Sequence, residues 1–90
     1  MDKKVLTLYY EMQLQLLKFK LEALQPTHKS FSTVEDEQRK RYEDTRNETY
    51  WIDARAAAYH SAVIKIEITV LESQLHYLTT KLVELHKPAS

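Results

Sequence analysis

Apolar side chains recur at heptad spacing near the N-terminus of this 90-residue chain. Within one row the intervals are 4, 3, 4, 3 and 4 residues, a periodicity typical of an α-helix that packs along a seam. The row consists of Val5, Tyr9, Met12, Leu16, Phe19 and Ala23. Beside it stands a second apolar row that consists of Leu6, Tyr10, Leu14, Leu17, Leu21 and Leu24. Because the two rows form a face wider than one helix covers, we expect this helix to contact more than one neighbour.

The last third of the chain carries the strongest repeat. Its main row has the same heptad spacing and consists of Ile64, Ile68, Leu71, Leu75, Leu78, Leu82 and Leu85. A parallel row consists of Ile52, Ala56, Tyr59, Val63, Ile66 and Val70. Small residues are concentrated between positions 54 and 62 and lower the helix surface there. We expect large aromatic side chains of the first helix to pack over these small residues, namely Tyr9, Tyr10 or Phe19.

The middle of the chain is polar. The segment 25–32 contains Pro26 and is predicted to be a loop, whereas 35–49 carries acid-first i,i+4 charge pairs typical of a solvated helix. Thr45 and Glu48 form a capping-box pattern, at which a helix can restart. The sequence therefore predicts one domain over 1–90, with helices at about 3–24, 33–46 and 48–86. It leaves open two arrangements near 45–48: a helix break, which lets the last helix fold back onto the first, or one continuous helix over 33–86.

A β-sheet is the competing interpretation, because the segment 63–70 also alternates with period two and is rich in β-branched residues. Two observations favour helices. The heptad row continues into Leu-rich sequence, and the chain has no glycine for the tight turns of a sheet. The predicted fold is all-α: an antiparallel helical hairpin or three-helix unit with coiled-coil seams, completed by oligomerisation into a helical bundle.

The predicted helix lengths point to assembly. A first helix that ends near residue 24 is much shorter than a last helix that runs to 86, so part of the long seam would lack a partner within the chain. We expect a second chain to cover it, either another copy in a homodimer or a different protein. The predicted interface consists of Val5, Tyr9, Met12, Leu16, Phe19, Ile64, Ile68, Leu71, Leu75, Leu78, Leu82 and Leu85.

Composition narrows the classes of partner. Lys and Arg number 13, as do Asp and Glu, so the chain lacks the net charge that attracts nucleic acids or anionic membranes. The absence of cysteine fits a reducing compartment. Polar residues interrupt the apolar positions near the N-terminus, whereas a signal peptide or a membrane span has a continuous apolar run. We expect a soluble, cytoplasmic protein that binds protein and does not bind membranes.

Few side chains in the sequence are candidates for metal binding, ligand binding or catalysis. Glu72 and His76 are spaced i,i+4 but find no second ligand pair, so no metal site is predicted. The acids lie in polar stretches or at outward-facing positions, whereas acid–base catalysis requires buried ones, so neither catalysis nor a cofactor is predicted. Trp51, Arg55 and Tyr59 could stack on a base, and binding of a nucleotide or single-stranded nucleic acid is the alternative function. Acids outnumber bases over 35–55, which disfavours phosphates. We interpret the chain as a protein–protein interaction or assembly module that acts through a self-associating helical bundle.

Overall fold

Two long antiparallel helices account for nearly all of residues 2–87, the part of the chain that this computed structural model describes. Helix α1 spans Lys3–Thr45 and helix α2 spans Glu48–His86. They pack side by side in a hairpin with extents of 68 × 20 × 14 Å. The described residues contain no strand. The predicted all-α class and the helical hairpin are therefore confirmed.

Helix α1 passes through the segment 25–32, where the sequence predicted a loop. Pro26 lies inside the helix although it lacks a backbone donor, and its ring crowds the carbonyl one turn earlier. The hydroxyl of Thr27 donates to the Ala23 carbonyl oxygen at 3.2 Å. Pro26 itself is exposed, so its ring disturbs no packing against α2. Leu24 and His28, on either side of the proline, are half-buried against α2, and their packing keeps the helix continuous there.

A heptad row runs on beyond the proline and explains why the polar segment joins α1. The row consists of Leu24, His28, Phe31, Glu35, Gln38 and Tyr42, all half-buried against α2. Its intervals are 4, 3, 4, 3 and 4 residues, but three of its six members are His, Glu or Gln, so the row is hard to distinguish from its charged neighbours in the sequence. The predicted helices 3–24 and 33–46 are one helix.

The continuity of α1 removes the expected difference in helix length. Helix α1 has 43 residues and α2 has 39, so each covers the other along nearly its full length. The row from Ile64 to Leu85 packs on α1 of the same chain, and Ile68 is only 1% exposed. The argument for a second chain from an uncovered seam is therefore wrong for this row.

The chain reverses at Arg46 and Asn47, inside the interval 45–48. Arg46 adopts the left-handed conformation with φ 59°, and its N–H donates to the Tyr42 carbonyl oxygen at 2.7 Å. The Asn47 side chain accepts from the N–H of Thr49 at 3.0 Å and caps α2. Asn47, and not the predicted Thr45, is thus the N-cap, because Thr45 is still the last residue of α1, where its hydroxyl donates to the Arg41 carbonyl oxygen at 2.8 Å.

The small residues of α2 meet a different part of α1 from the one predicted. Ala57 is buried at the same level of the hairpin as Phe31 and Gln38, which line a groove with it. Because α2 doubles back from residue 48, its N-terminal half faces the C-terminal half of α1. Tyr9 and Tyr10 lie instead near Tyr77 at the other end. The expectation that Tyr9, Tyr10 or Phe19 covers the small residues is therefore wrong.

Candidate interaction surface

The two adjacent apolar rows of α1 have opposite environments. The row that includes Leu17 faces α2, and Leu17 is buried. The other row, which we call the α1 outer row, consists of Val5, Tyr9, Met12, Leu16, Phe19 and Ala23. Its five large side chains are 54–75% exposed, with Phe19 the most exposed. These five residues were predicted to form an interface, and the hairpin leaves all of them accessible.

Helix α2 has an exposed row of the same kind. The α2 outer row consists of Ile52, Ala56, Tyr59, Val63, Ile66 and Val70, and all six are exposed. Tyr59 and Ile66 are 68% and 66% exposed. The heptad pattern includes this row, but the predicted interface contains its neighbour, the row from Ile64 to Leu85, which packs inside the hairpin. Spacing alone could not separate them, because both rows have heptad intervals.

The two outer rows occupy opposite halves of the hairpin. Ser32 contacts Ser61, and Phe31 stacks on His60 with ring centroids 5.1 Å apart, which fixes the level at which the helices pair. At this pairing the α1 outer row lies beside α2 from residue 70 onward, at the end of the hairpin away from the turn. The α2 outer row lies beside 23–41 of α1, nearer the turn.

The predicted aromatic stack is only partly assembled. The Arg55 guanidinium lies 5.4 Å from the centre of the Trp51 ring, a cation–π contact. Tyr59 does not join them. Its ring packs edge-on against His60 at 5.8 Å and belongs to the α2 outer row. Trp51 and Arg55 instead line a cleft of about 680 Å³ that includes Tyr42 of α1.

Every arginine of this cleft already has a partner. Arg39 is bonded to Glu35 at 2.6 Å, and Arg46 lies 5.5 Å from the centre of the Tyr42 ring. Arg55 lies against Trp51. Glu35 and Glu43 add two carboxylates to the lining. A phosphate would have to displace these contacts and approach two acids, which makes the cleft a weak candidate for anion binding.

The described residues also give no indication of a metal site or of a membrane-spanning helix. Among residues 2–87 no group of three or more His, Cys, Asp or Glu side chains lies close enough to hold a metal ion. Glu72 and His76 are both exposed on the surface of α2. Neither helix in the described part of the chain combines the length and the apolar character needed to cross a bilayer. The exposed outer rows are thus the most distinctive surface of the hairpin.

Comparison with known proteins gives no relative to set beside this surface. No protein-family model matches the chain, and neither a curated protein nor a solved structure is significantly similar to it.

Proposed function

We propose that this hairpin is a protein–protein interaction module that self-associates through its outer rows, with no catalytic role. The observation that carries the proposal is the exposure of the five large side chains of the α1 outer row. Contiguous apolar surface of this kind marks interaction sites in soluble proteins, because its removal from water stabilises a complex. A cytoplasmic location remains a prediction of the sequence.

The inner rows cannot supply this function in the folded hairpin, since each already contacts the other. The outer rows have heptad spacing without a partner helix in the chain. Such spacing is what a further helix needs to pack by knobs into holes. The proposal therefore assigns folding to the inner rows and association to the outer rows.

Sedimentation velocity of the wild-type protein over a range of micromolar concentrations tests the proposal. The protein should sediment as a species heavier than the 10.7 kDa chain, and Leu16→Gln should weaken association without loss of helical circular dichroism. Lys18→Gln is the control, because Lys18 is exposed on α1 outside the row. A wild-type protein that stays a single chain at every concentration would refute self-association.

Binding of a nucleotide or single-stranded nucleic acid is a second candidate, supported by the cleft that contains Trp51 and Arg55. Trp51 is the only tryptophan and reports directly on stacking. A saturable change in its fluorescence at micromolar nucleotide, abolished by Arg55→Ala, would favour this candidate. We expect no such change, because the arginines of the cleft are engaged and two acids line it.

A further inference from the structure

We propose that the α1 outer row of one copy packs antiparallel on the α2 outer row of a second copy, so that copies join head to tail. This inference rests on the proposed function and specifies which surfaces meet. The occupant of each outer row is therefore a second copy of this chain. The contact is heterologous, since two different surfaces of the same molecule meet in it.

The two outer rows match in length and spacing. Each has six positions with intervals of 4, 3, 4, 3 and 4 residues, so six layers can form without an unpaired position. Side-chain size is complementary at one end of the antiparallel contact. Phe19 is brought opposite Ala56, and Ala23 is brought opposite Ile52. The remaining layers pair Val5 with Val70, Tyr9 with Ile66, Met12 with Val63 and Leu16 with Tyr59.

Charges on the flanks of the rows support the same register. In an antiparallel contact, a residue directly after a row position of one helix lies beside a residue directly after a row position of the other helix. Residues directly before row positions pair in the same way. Lys20 follows Phe19 and is brought beside Asp53, which follows Ile52. Glu22 precedes Ala23 and is brought beside Arg55, which precedes Ala56. All four charged side chains are exposed, and both flanks obtain a pair of opposite charges.

Pairing of like rows lacks this complementarity. An antiparallel contact between two α2 outer rows brings Asp53 beside Glu67 of the other copy, which places like charges together at both ends. A contact between two α1 outer rows brings Lys20 and Glu22 beside leucines and forms no charge pair. The charge pattern therefore favours the contact between unlike rows.

The position of the rows along the hairpin fixes the stagger. Within one chain Ser61 lies opposite Ser32, whereas in the proposed contact position 61 lies opposite position 14 of the neighbour. The difference of 18 residues corresponds to an offset of about 27 Å at 1.5 Å per residue. A two-fold axis parallel to the helices keeps the level of each residue and cannot produce this offset. Every rotation axis parallel to the helices has this property, so the copies form a staggered open chain.

Variants that block one row each provide the test. Phe19→Glu disables the α1 outer row and Ile66→Glu disables the α2 outer row. Both residues are exposed in the hairpin, so the fold should persist, and circular dichroism checks this. Each variant alone should sediment as a 10.7 kDa chain, and their equimolar mixture should give a particle of twice that mass. Val83→Glu is the control, since Val83 is exposed but belongs to neither row.

The outcomes separate this inference from the proposed function. Self-association of the Ile66→Glu variant alone would show that α1 rows pair with each other, and self-association of the Phe19→Glu variant alone would show the same for α2 rows. Either result overturns the head-to-tail contact but keeps self-association. A mixture that stays monomeric while the wild type associates also overturns it. A monomeric wild type overturns both proposals.

Charge reversal tests the register itself. Glu22→Arg and Arg55→Glu should each raise the apparent dissociation constant, by about tenfold or more, because each places like charges side by side. Mixing the two variants should restore association, since each copy then meets an opposite charge on both of its neighbours. Lys65→Glu, on the opposite face of α2, is the control. Failure of the mixture to recover wild-type association would overturn this register.

Discussion

The hydroxyl oxygens of Ser32 and Ser61 lie 3.1 Å apart and form a hydrogen bond between α1 and α2. The bond sits where the small residues of α2 allow the helices to approach, and Ser61 is buried. Apolar rows of constant spacing permit the helices to slide by one heptad, whereas a polar pair is satisfied at one level only. This pair therefore contributes to the register of the hairpin.

Ser32 and Ser61 should be coupled in their contribution to stability. Ser61→Ala or Ser32→Ala should lower the free energy of unfolding by about 1 kcal/mol, since each leaves the other hydroxyl without its partner. The double variant should lose less than the sum of the two. Urea denaturation of the four proteins measures the coupling, and strictly additive losses would show that the bond contributes nothing.

Crowding at the small residues of α2 should depend on the face. Ala57 is 4% exposed, so Ala57→Leu should lower the free energy of unfolding by about 1–3 kcal/mol through overpacking. Ala62 is exposed on the same helix, and Ala62→Leu should change it by less than about 0.5 kcal/mol. Equal thermal midpoints for the two variants would mean that the helices do not approach closely at Ala57.

Substitution by glycine should stabilise the protein at the turn but destabilise it inside α1. Arg46 has a left-handed backbone, a conformation that costs a residue with a Cβ atom about 1 kcal/mol and glycine almost nothing. Arg46→Gly should therefore raise the free energy of unfolding. The gain is reduced by the loss of the contact between Arg46 and Tyr42. Arg41→Gly, inside α1, should lower it by about 1 kcal/mol. Denaturant midpoints that fall for both variants would contradict the role assigned to Arg46.

Pro26 should destabilise α1. Pro26→Ala restores a backbone donor and removes the ring, so it should raise the free energy of unfolding by about 1–3 kcal/mol. Gln25→Ala, at the neighbouring exposed position, should change it by less than about 0.5 kcal/mol. A Pro26→Ala protein that unfolds at a lower urea concentration than the wild type would indicate that the chain needs a bend there.

These residues also show how far the sequence could be interpreted. The helical class follows from heptad spacing, whereas local composition indicates the chain reversal near 45–48 only as one of two alternatives, the other being a continuous helix over 33–86. The continuity of α1 could not be predicted, because Pro26 is a local helix breaker and the inner row beyond it uses His28, Glu35 and Gln38. Only packing against α2 selects these polar positions as inner ones.

The sequence also does not show which of two neighbouring rows the partner helix covers. Val5 and Leu6 begin two rows of nearly equal apolar character, and only the position of the partner helix decides which is covered. The spacing from Ile64 to Leu85 predicts a seam, but it does not say whether the partner helix lies in the same chain or in another. Once α1 reached Thr45, that partner lay in the same chain, and the surface left for association changed to the outer rows.

Ile66 and Ile68 separate folding from association on one helix. They are the same residue two positions apart, yet Ile68 is 1% exposed and Ile66 is 66% exposed. Ile68→Ala should lower the free energy of unfolding by about 2–5 kcal/mol because it opens a cavity between the helices. Ile66→Ala should leave the hairpin folded, since its side chain contributes little to the inner packing.

Sedimentation velocity of Ile66→Ala, at the concentrations where the wild type associates, tests most directly whether the outer rows hold copies together. The account predicts a protein of wild-type helicity whose sedimenting mass falls toward the 10.7 kDa of a single chain. A variant that keeps the wild-type mass at every concentration would contradict it.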